Sequence, residues 1–373
     1  MERIIDIFVA GKDDFGSYRI PSIILTGNGA LLAFAEGRKE LNDHAQNKIV
    51  LKRSMDTGHS WDKLQIIADA GMDSLNNPLV VQIEENGKII LMYQSYPHTR
   101  IEDVPDPEQW KSHEGQEFPP NIHEAAVQTG YEGMNICRSF IISSEDDGNT
   151  WSLPIEITRE VKRPVDVTNY AGGPGIGIQV RKGNYKGRVI MPFSQGPWSD
   201  MKVYAVYSDD NGDSWKYGET APNNLNGMPN EVQIAELSDG KLIMNARTFK
   251  GQSCRMISNS LDGGETWTDL SYDETLEDPG CQGSILSMGS LGPSPENILL
   301  FSNPADKSKR VNGTIRLSDD EGKSWKWSKT LYKGSFGYSC LAALSDTEFG
   351  ILYERDDYVK ISYTRLDIKW LKR

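Results

Sequence analysis

Much that would point directly to a chemistry is missing from these 373 residues. There are only four cysteines, Cys137, Cys254, Cys281 and Cys340, and no two stand in a Cys-x-x-Cys arrangement. They are expected to be small buried residues rather than a metal or redox motif. The five histidines have no ligand spacing either, so neither a metal nor a cofactor is expected. No apolar stretch is long enough to span a bilayer, and no long segment has helical periodicity. Met1 to Phe15 has charges every few residues and no apolar run of signal length. Either the protein is made without an export signal or the sequence starts after one, and the compartment stays open. Positive charge is also short: 40 Lys and Arg against 53 Asp and Glu leave a formal net charge of −13. That balance argues against nucleic acid or an anionic membrane surface as a partner, but it does not forbid a local cationic pocket.

What the chain does have is a repeat. The pattern Ser-x-Asp-x-Gly-x-(Ser/Thr)-Trp occurs at Ser54 to Trp61, Ser144 to Trp151, Ser208 to Trp215, Ser260 to Trp267 and Ser318 to Trp325. Five copies place five of the nine tryptophans at the same position, far beyond chance, so the chain is read first as a repeat architecture. Within each copy the Asp is expected to accept backbone N–H bonds, the Gly to permit a positive φ, and the Trp to fill the apolar gap beneath the turn. That is a structural role, and it outweighs a catalytic or metal-binding one.

Short β-patterned runs recur between these boxes, for example Arg19 to Leu25, Ala30 to Ala35, Lys48 to Arg53, Lys88 to Tyr93, Arg188 to Phe193, Lys241 to Ala246 and Gly313 to Leu317. Hairpin signals such as Gly27-Asn28-Gly29, Glu85-Asn86-Gly87 and Asp239-Gly240 separate many of them. The box aspartates stand at 56, 146, 210, 262 and 320. The last three intervals suit one four-stranded blade of about 40–50 residues each, with loop excess; the first is too long. Its excess is Pro97 to Asn135, a long insertion between strands in which Trp110, Tyr131 and Met134 could wall a pocket. After the fifth box come Tyr338 to Leu344, Phe349 to Tyr353 and Tyr358 to Tyr363, three strands with no box, which read as a last unit closing against the N-terminal strand. The expected fold is all-β, a six-bladed β-propeller of four-stranded antiparallel sheets forming a single domain over residues 1–373.

Candidate functional residues lie outside the boxes. Arg19, in Tyr18-Arg19-Ile20-Pro21, heads an otherwise apolar strand; Arg247 ends one; Arg310 stands just before Gly313 to Leu317. Taken singly, each is more often a surface ion-pair residue. On different blades they have the placement to meet at the central axis, where three guanidiniums would grip a carboxylate.

The five boxes together with further motifs resemble the exo-α-sialidases of glycoside hydrolase family 33, over essentially the whole chain. The motifs are Tyr18-Arg19-Ile20-Pro21, Ala33-Phe34-Ala35-Glu36-Gly37-Arg38, Asp43 ahead of Ile49 to Ser54, Gly173 to Gln179, Asn230-Glu231-Val232-Gln233, Gly337-Tyr338-Ser339 and Leu352-Tyr353-Glu354. The resemblance implies that Arg19, Arg247 and Arg310 bind the sugar carboxylate, with Glu354 orienting Arg19 and Arg38 contacting ring substituents. It implies Tyr338 as the nucleophile, Glu231 as the base that activates it, and Asp43 as general acid/base, without metal or cofactor. A neutral phenol suits an anomeric carbon that already bears a carboxylate, because a carboxylate nucleophile would be repelled. Asp43 needs a raised pKa to serve as an acid near neutral pH. The implied partners are sialylated glycans or related sugar-acid glycosides, and the implied state is a monomer. No residues match a pocket for the N-acetyl group or glycerol tail, so Kdn, Kdo or a pectin ulosonic acid stay open as substrates. So does a non-catalytic binding propeller, because Asp boxes occur in such proteins as well.

Overall fold

The structure is a computed structural model that describes residues 3–98, 128–133, 135–163, 167–197, 200–290 and 298–373. It is all-β, built of antiparallel meanders. One four-stranded sheet holds Ser17–Leu25, Leu31–Arg38, Lys48–Ser54 and Gln65–Ala68, and another holds Pro229–Glu236, Leu242–Thr248, Cys254–Ser260 and Ser271–Glu277. A five-stranded sheet runs Ser74–Gln82, Ile89–Tyr96, Arg138–Ser144 and Ile155–Glu156, and Gly175–Ile176 joins its inner edge in parallel. The other five-stranded sheet contains Tyr170–Gly172, Val189–Gln195, Lys202–Ser208 and Lys216–Tyr217, with Ile178–Gln179 also paired to Val189–Gln195. The seven-stranded sheet is joined by one long strand, Trp327–Ala343. Its first half pairs with Val311–Ser318 and its second half with Glu348–Arg355.

The strands form where the sequence alternates or runs apolar, because inner and middle strands are covered on both faces by neighbouring sheets. Leu31–Arg38 and Val189–Gln195 are buried along their whole length. The chain closes when Ile5–Val9, the true first strand, pairs antiparallel with Lys360–Asp367. The last expected strand, Tyr358 to Tyr363, is displaced along the chain: it runs Lys360–Asp367, and Tyr358 lies in the preceding turn with φ +67°.

The five boxes are the outer turns. In each, the Asp accepts the amide of the residue four positions on and the hydroxyl of the Ser that opens the box, as Asp210 does from Ser214 and Ser208. That Ser hydroxyl in turn accepts the box Gly amide, at 2.8 Å in Gly212. Gly212 needs its φ of +86°, and a Cβ there would stand 2.2 Å from Ile90 of the preceding sheet. Each box leans backwards in this way: Gly148 on Leu32, Gly264 on Ala205, Gly322 on Ile243, and Gly58 on Tyr363 of the final strand. The tryptophans wedge between sheets; Trp215 and Trp267 are buried and the other three half-buried.

Of the long insertion, Trp110 and Met134 lie outside the described residues. Tyr131 donates to the Lys162 carbonyl at 3.2 Å and faces Arg159, in a cleft also lined by Arg138 and Glu156. All four cysteines are buried and unpaired.

Candidate active site

The inner strand of each of four units begins with a bulge, and the bulges place polar side chains together. Pairing slips between Arg19 and Ser22, between Asn76 and Leu79, between Asn230 and Val232, and between Phe336 and Ser339. Bulges bend a strand and re-aim its side chains. Three of them hold non-glycine residues in the left-handed region: Ile20 at φ +61°, Asn77 at +56° and Glu231 at +37°. A β-branched residue such as Ile20 adopts that region only when its surroundings force it. Here the force is Glu354. Its Oε1 accepts both the Ile20 amide at 2.9 Å and Arg19 Nε at 2.7 Å, while Oε2 accepts the Tyr338 amide at 2.9 Å.

Tyr338 is the meeting point. Its hydroxyl donates to Glu231 Oε1 in a short hydrogen bond. Arg247 Nη1 donates to the same hydroxyl at 3.1 Å and also pairs with Glu231 Oε2. The guanidinium carbons of Arg19 and Arg310 lie 5.0 and 5.5 Å from the centre of the Tyr338 ring. Three arginines from three separate strand ends therefore surround one phenol. Arg19 and Arg247 are buried, and Ile20 and Cys281 pack against the ring. Arg247 Nε is buried with no acceptor among the described residues.

The electrostatics follow from this crowding. Burial, and then the Glu231 carboxylate, push the Tyr338 phenol well above its ordinary pKa, against the pull of Arg247, Arg310 and Arg19. It is a protonated donor at neutral pH. Burial disfavours the Arg19 charge, but Glu354 and Tyr338 outweigh it and hold the guanidinium charged.

Arg38 and Asp43 form a second cluster. Arg38 is fully buried and donates from Nε to Glu36 at 2.8 Å and from Nη1 to Asp43 at 2.7 Å. Asn47 and Asn76 both donate to the Asp43 carbonyl, at 2.6 and 2.9 Å, so the loop is pinned by its backbone. The Asp43 side chain itself is 68% exposed. What desolvation it feels raises its pKa, but Arg38 and then Arg19 pull it below the usual carboxylate range, to about 2. In this state Asp43 is ionised, contrary to the raised pKa that an acid role requires. Asp43 stands in a cationic field, and that field outweighs its partial burial.

All eight residues singled out from sequence lie in these two clusters, linked through the Arg19 charge that reaches both Tyr338 and Asp43. Sequence reasoning missed Glu36, fully buried beneath Arg38. A carboxylate inside the apolar run Leu31–Arg38 was a usable signal, since buried charge needs a partner. It also missed Tyr358, whose ring lies 4.2 Å from the Arg19 guanidinium carbon; in the sequence it reads as the first residue of the last strand. The loop Gly173-Pro174-Gly175 has a buried framework of its own. Gln233, Gln282 and Ser22 donate to its three carbonyls in turn, at 3.0, 3.0 and 2.6 Å. Among the described residues, no group of three His, Cys, Asp or Glu could hold a metal ion.

The BNR repeat-like domain matches residues 29–351. The chain is 29% identical to a sialidase of Micromonospora viridifaciens, covering 98% of this chain and 54% of that protein. It is 29% identical to a sialidase of Bacteroides fragilis, covering 92% of this chain and 61% of that protein. Among solved structures it superposes on the Hadza microbial sialidase Hz136 with a TM-score of 0.82 at 28% identity, over 97% of this chain and 68% of that one. The chain thus spans 54% and 61% of the two curated relatives.

Proposed function

The chain belongs to the BNR repeat-like domain family and has the fold of the exo-α-sialidases, and from that premise we propose that it removes terminal α-linked N-acetylneuraminic acid from glycoconjugates with retention, acting as a monomer. The architecture we propose is one six-bladed propeller over residues 1–373. Dividing the strand Trp327–Ala343 between Ser335 and Phe336 leaves four strands on each side, and the backward lean of every box, Gly58 on Tyr363 included, supports a closed ring.

One observation carries the chemical reading: the Tyr338 hydroxyl donates to Glu231 while three guanidiniums surround it. Arg19, Arg247 and Arg310 would bind the substrate carboxylate. Tyr338 attacks the anomeric carbon as its proton passes to Glu231, and Asp43 protonates the departing glycosidic oxygen. The covalent glycosyl-tyrosine is then cleaved by a water that gives its proton to Asp43, and Tyr338 recovers its own from Glu231. Two inversions give retention. Tyrosine is the exception among retaining glycosidases, and here it avoids bringing an anion up to the sugar carboxylate. Asp43 must gain a proton on binding. A bound carboxylate offsets the pull of Arg19, and the sugar covers a side chain that is now 68% exposed; both changes raise its pKa.

The test is side-by-side hydrolysis of aryl α-glycosides of N-acetylneuraminic acid, Kdn and Kdo, with the first-formed anomer read by proton NMR. Cleavage of the first with α-product initially is expected. Cleavage of Kdn or Kdo alone overturns the specificity, and no cleavage of any by folded protein leaves a binding propeller.

A further inference from the structure

We infer that Tyr358 is a positioning residue of the arginine clamp, locking Arg19 and Arg310 in the orientation that receives a carboxylate; this rests on the sialidase reading above. The turn that carries it is costly. Asp356, Asp357 and Tyr358 are three consecutive non-glycine residues in the left-handed region, at φ +53°, +52° and +67°, a conformation that L-residues adopt singly and at a cost.

The surroundings over-determine this turn. Asp356 accepts from the Tyr332 hydroxyl and from Arg355 Nη1, the latter at 2.5 Å. The Asp357 amide donates to Ser335 Oγ at 3.0 Å. The Val359 amide closes on the Asp356 carbonyl at 3.1 Å, and the Val359 carbonyl accepts the Ala10 amide at 2.9 Å.

All this bracing presents one side chain to the site. The Tyr358 ring lies 4.2 Å from the Arg19 guanidinium carbon, and its hydroxyl accepts from Arg310 Nη1 at 3.0 Å. Gly337 leaves the room for it, since a Cβ there would stand 2.9 Å from Tyr358 Cε1. One hairpin thus grips Arg19 twice. Glu354, in its first strand, binds the guanidinium edge, and Tyr358, in its turn, covers the face. Arg310 comes from outside that hairpin, just before Val311–Ser318 on the other side of the long strand Trp327–Ala343. Its Nη2 donates to the Gly280 carbonyl at 3.2 Å, so the Tyr358 hydroxyl completes a two-point hold. Two like charges facing one phenol repel each other, and the negative face of an aromatic ring beside one of them eases that repulsion.

The experiment uses Tyr358→Phe and Tyr358→Ala in the full chain. KM and kcat are measured on an aryl α-sialoside. Calorimetry gives the affinity for 2,3-didehydro-N-acetylneuraminic acid and for its methyl ester. With the ring kept and the hydroxyl lost, Tyr358→Phe should raise KM about fivefold with kcat within about twofold. Tyr358→Ala should raise KM about thirtyfold or more, because both holds are gone. The same losses should appear for the free acid and not for the ester, with the melting temperature of the Phe variant unchanged; a merely structural tyrosine would not discriminate acid from ester. Unchanged KM in the Phe variant, equal losses for acid and ester, or a fall in kcat at constant KM would each overturn the inference, and the Phe variant decides it even if Ala does not fold. A wild-type chain that binds neither compound overturns the sialidase reading itself and this inference with it.

Discussion

At the outer turns, left-handed backbone falls on the box glycine and on the residue before it, Thr57, Asp147, Asn211, Gly263 and Glu321 in turn, and the hydrogen bonds close within eight residues: Asp262 with Ser260 and Thr266, Gly264 with Ser260. At the inner strand ends the left-handed residues are Ile20, Asn77 and Glu231, and the groups that hold the site are far apart in sequence. Arg19 and Glu354 are 335 residues apart, and Tyr338 and Glu231 are 107 apart. The boxes are therefore local modules that form wherever the octapeptide occurs. The site exists only when the ends of the chain have met, because Glu354 belongs to the sheet that Ile5–Val9 completes. Rim and axis should respond to mutation in opposite ways: rim changes should cost stability and leave turnover alone, and axis changes should remove turnover.

The sharpest way to break that contrast is Tyr338→Phe. It deletes one hydroxyl from a buried ring that still packs on Ile20 and Cys281. Turnover of an aryl sialoside should fall about a thousandfold or more, with the thermal midpoint held or raised. Undiminished turnover would remove Tyr338 from the chemistry.

Glu354→Ala comes next, and it sets a limit on the contrast. It strands Arg19 as a buried, unpaired cation and frees the amides of Ile20 and Tyr338. Breaking such a pair costs about 3–5 kcal/mol, measured by urea unfolding, and carboxylate binding should weaken with it. On the rim, Asp262→Ala removes the acceptor for the Thr266 amide and hydroxyl. The loss should be about 1–2 kcal/mol, as for a helix cap, with kcat and KM unchanged. If Asp262→Ala cost as much turnover as stability, the rim and the axis would not be separable.

The same contrast explains what could be read from the sequence. The repeats announce themselves, so the boxes, the strands between them and the all-β class were legible: Lys48–Ser54 and Leu242–Thr248 fall where the alternation puts them. Residues carried by recognisable motifs, such as Arg19 and Tyr338, were legible as candidates. The inner strands Ser74–Gln82 and Pro229–Glu236 were not. Asparagine, proline and glutamate sit within them because the strands are bulged, and a bulge spoils the period-two pattern. Tyr358 was hidden for a related reason: its apolar neighbours continue the pattern of Lys360–Asp367, while three left-handed residues turn it towards Arg19. The low pKa of Asp43 depends on where Arg38 and Arg19 stand, which no local pattern encodes.

The smallest expected effect is acid sensitivity of the rim. The Thr150 hydroxyl and amide hold the Asp146 carboxyl at about 2. At Asp210 partial burial pushes upward, but the Ser214 hydroxyl and amide outweigh it and again give about 2. Both folded values lie below the ordinary 3.8, so the unfolded chain takes up protons first as pH falls. The stabilisation is complete above about pH 4 and is lost between there and pH 2. Urea midpoints between pH 5 and pH 2 should fall for the wild type and fall less steeply for Asp210→Asn, which has no carboxylate to titrate. Parallel curves would mean that the Asp210 carboxylate adds nothing by its charge. The turn would then be held by its glycine, its serine hydroxyl and the packing of Trp215 alone.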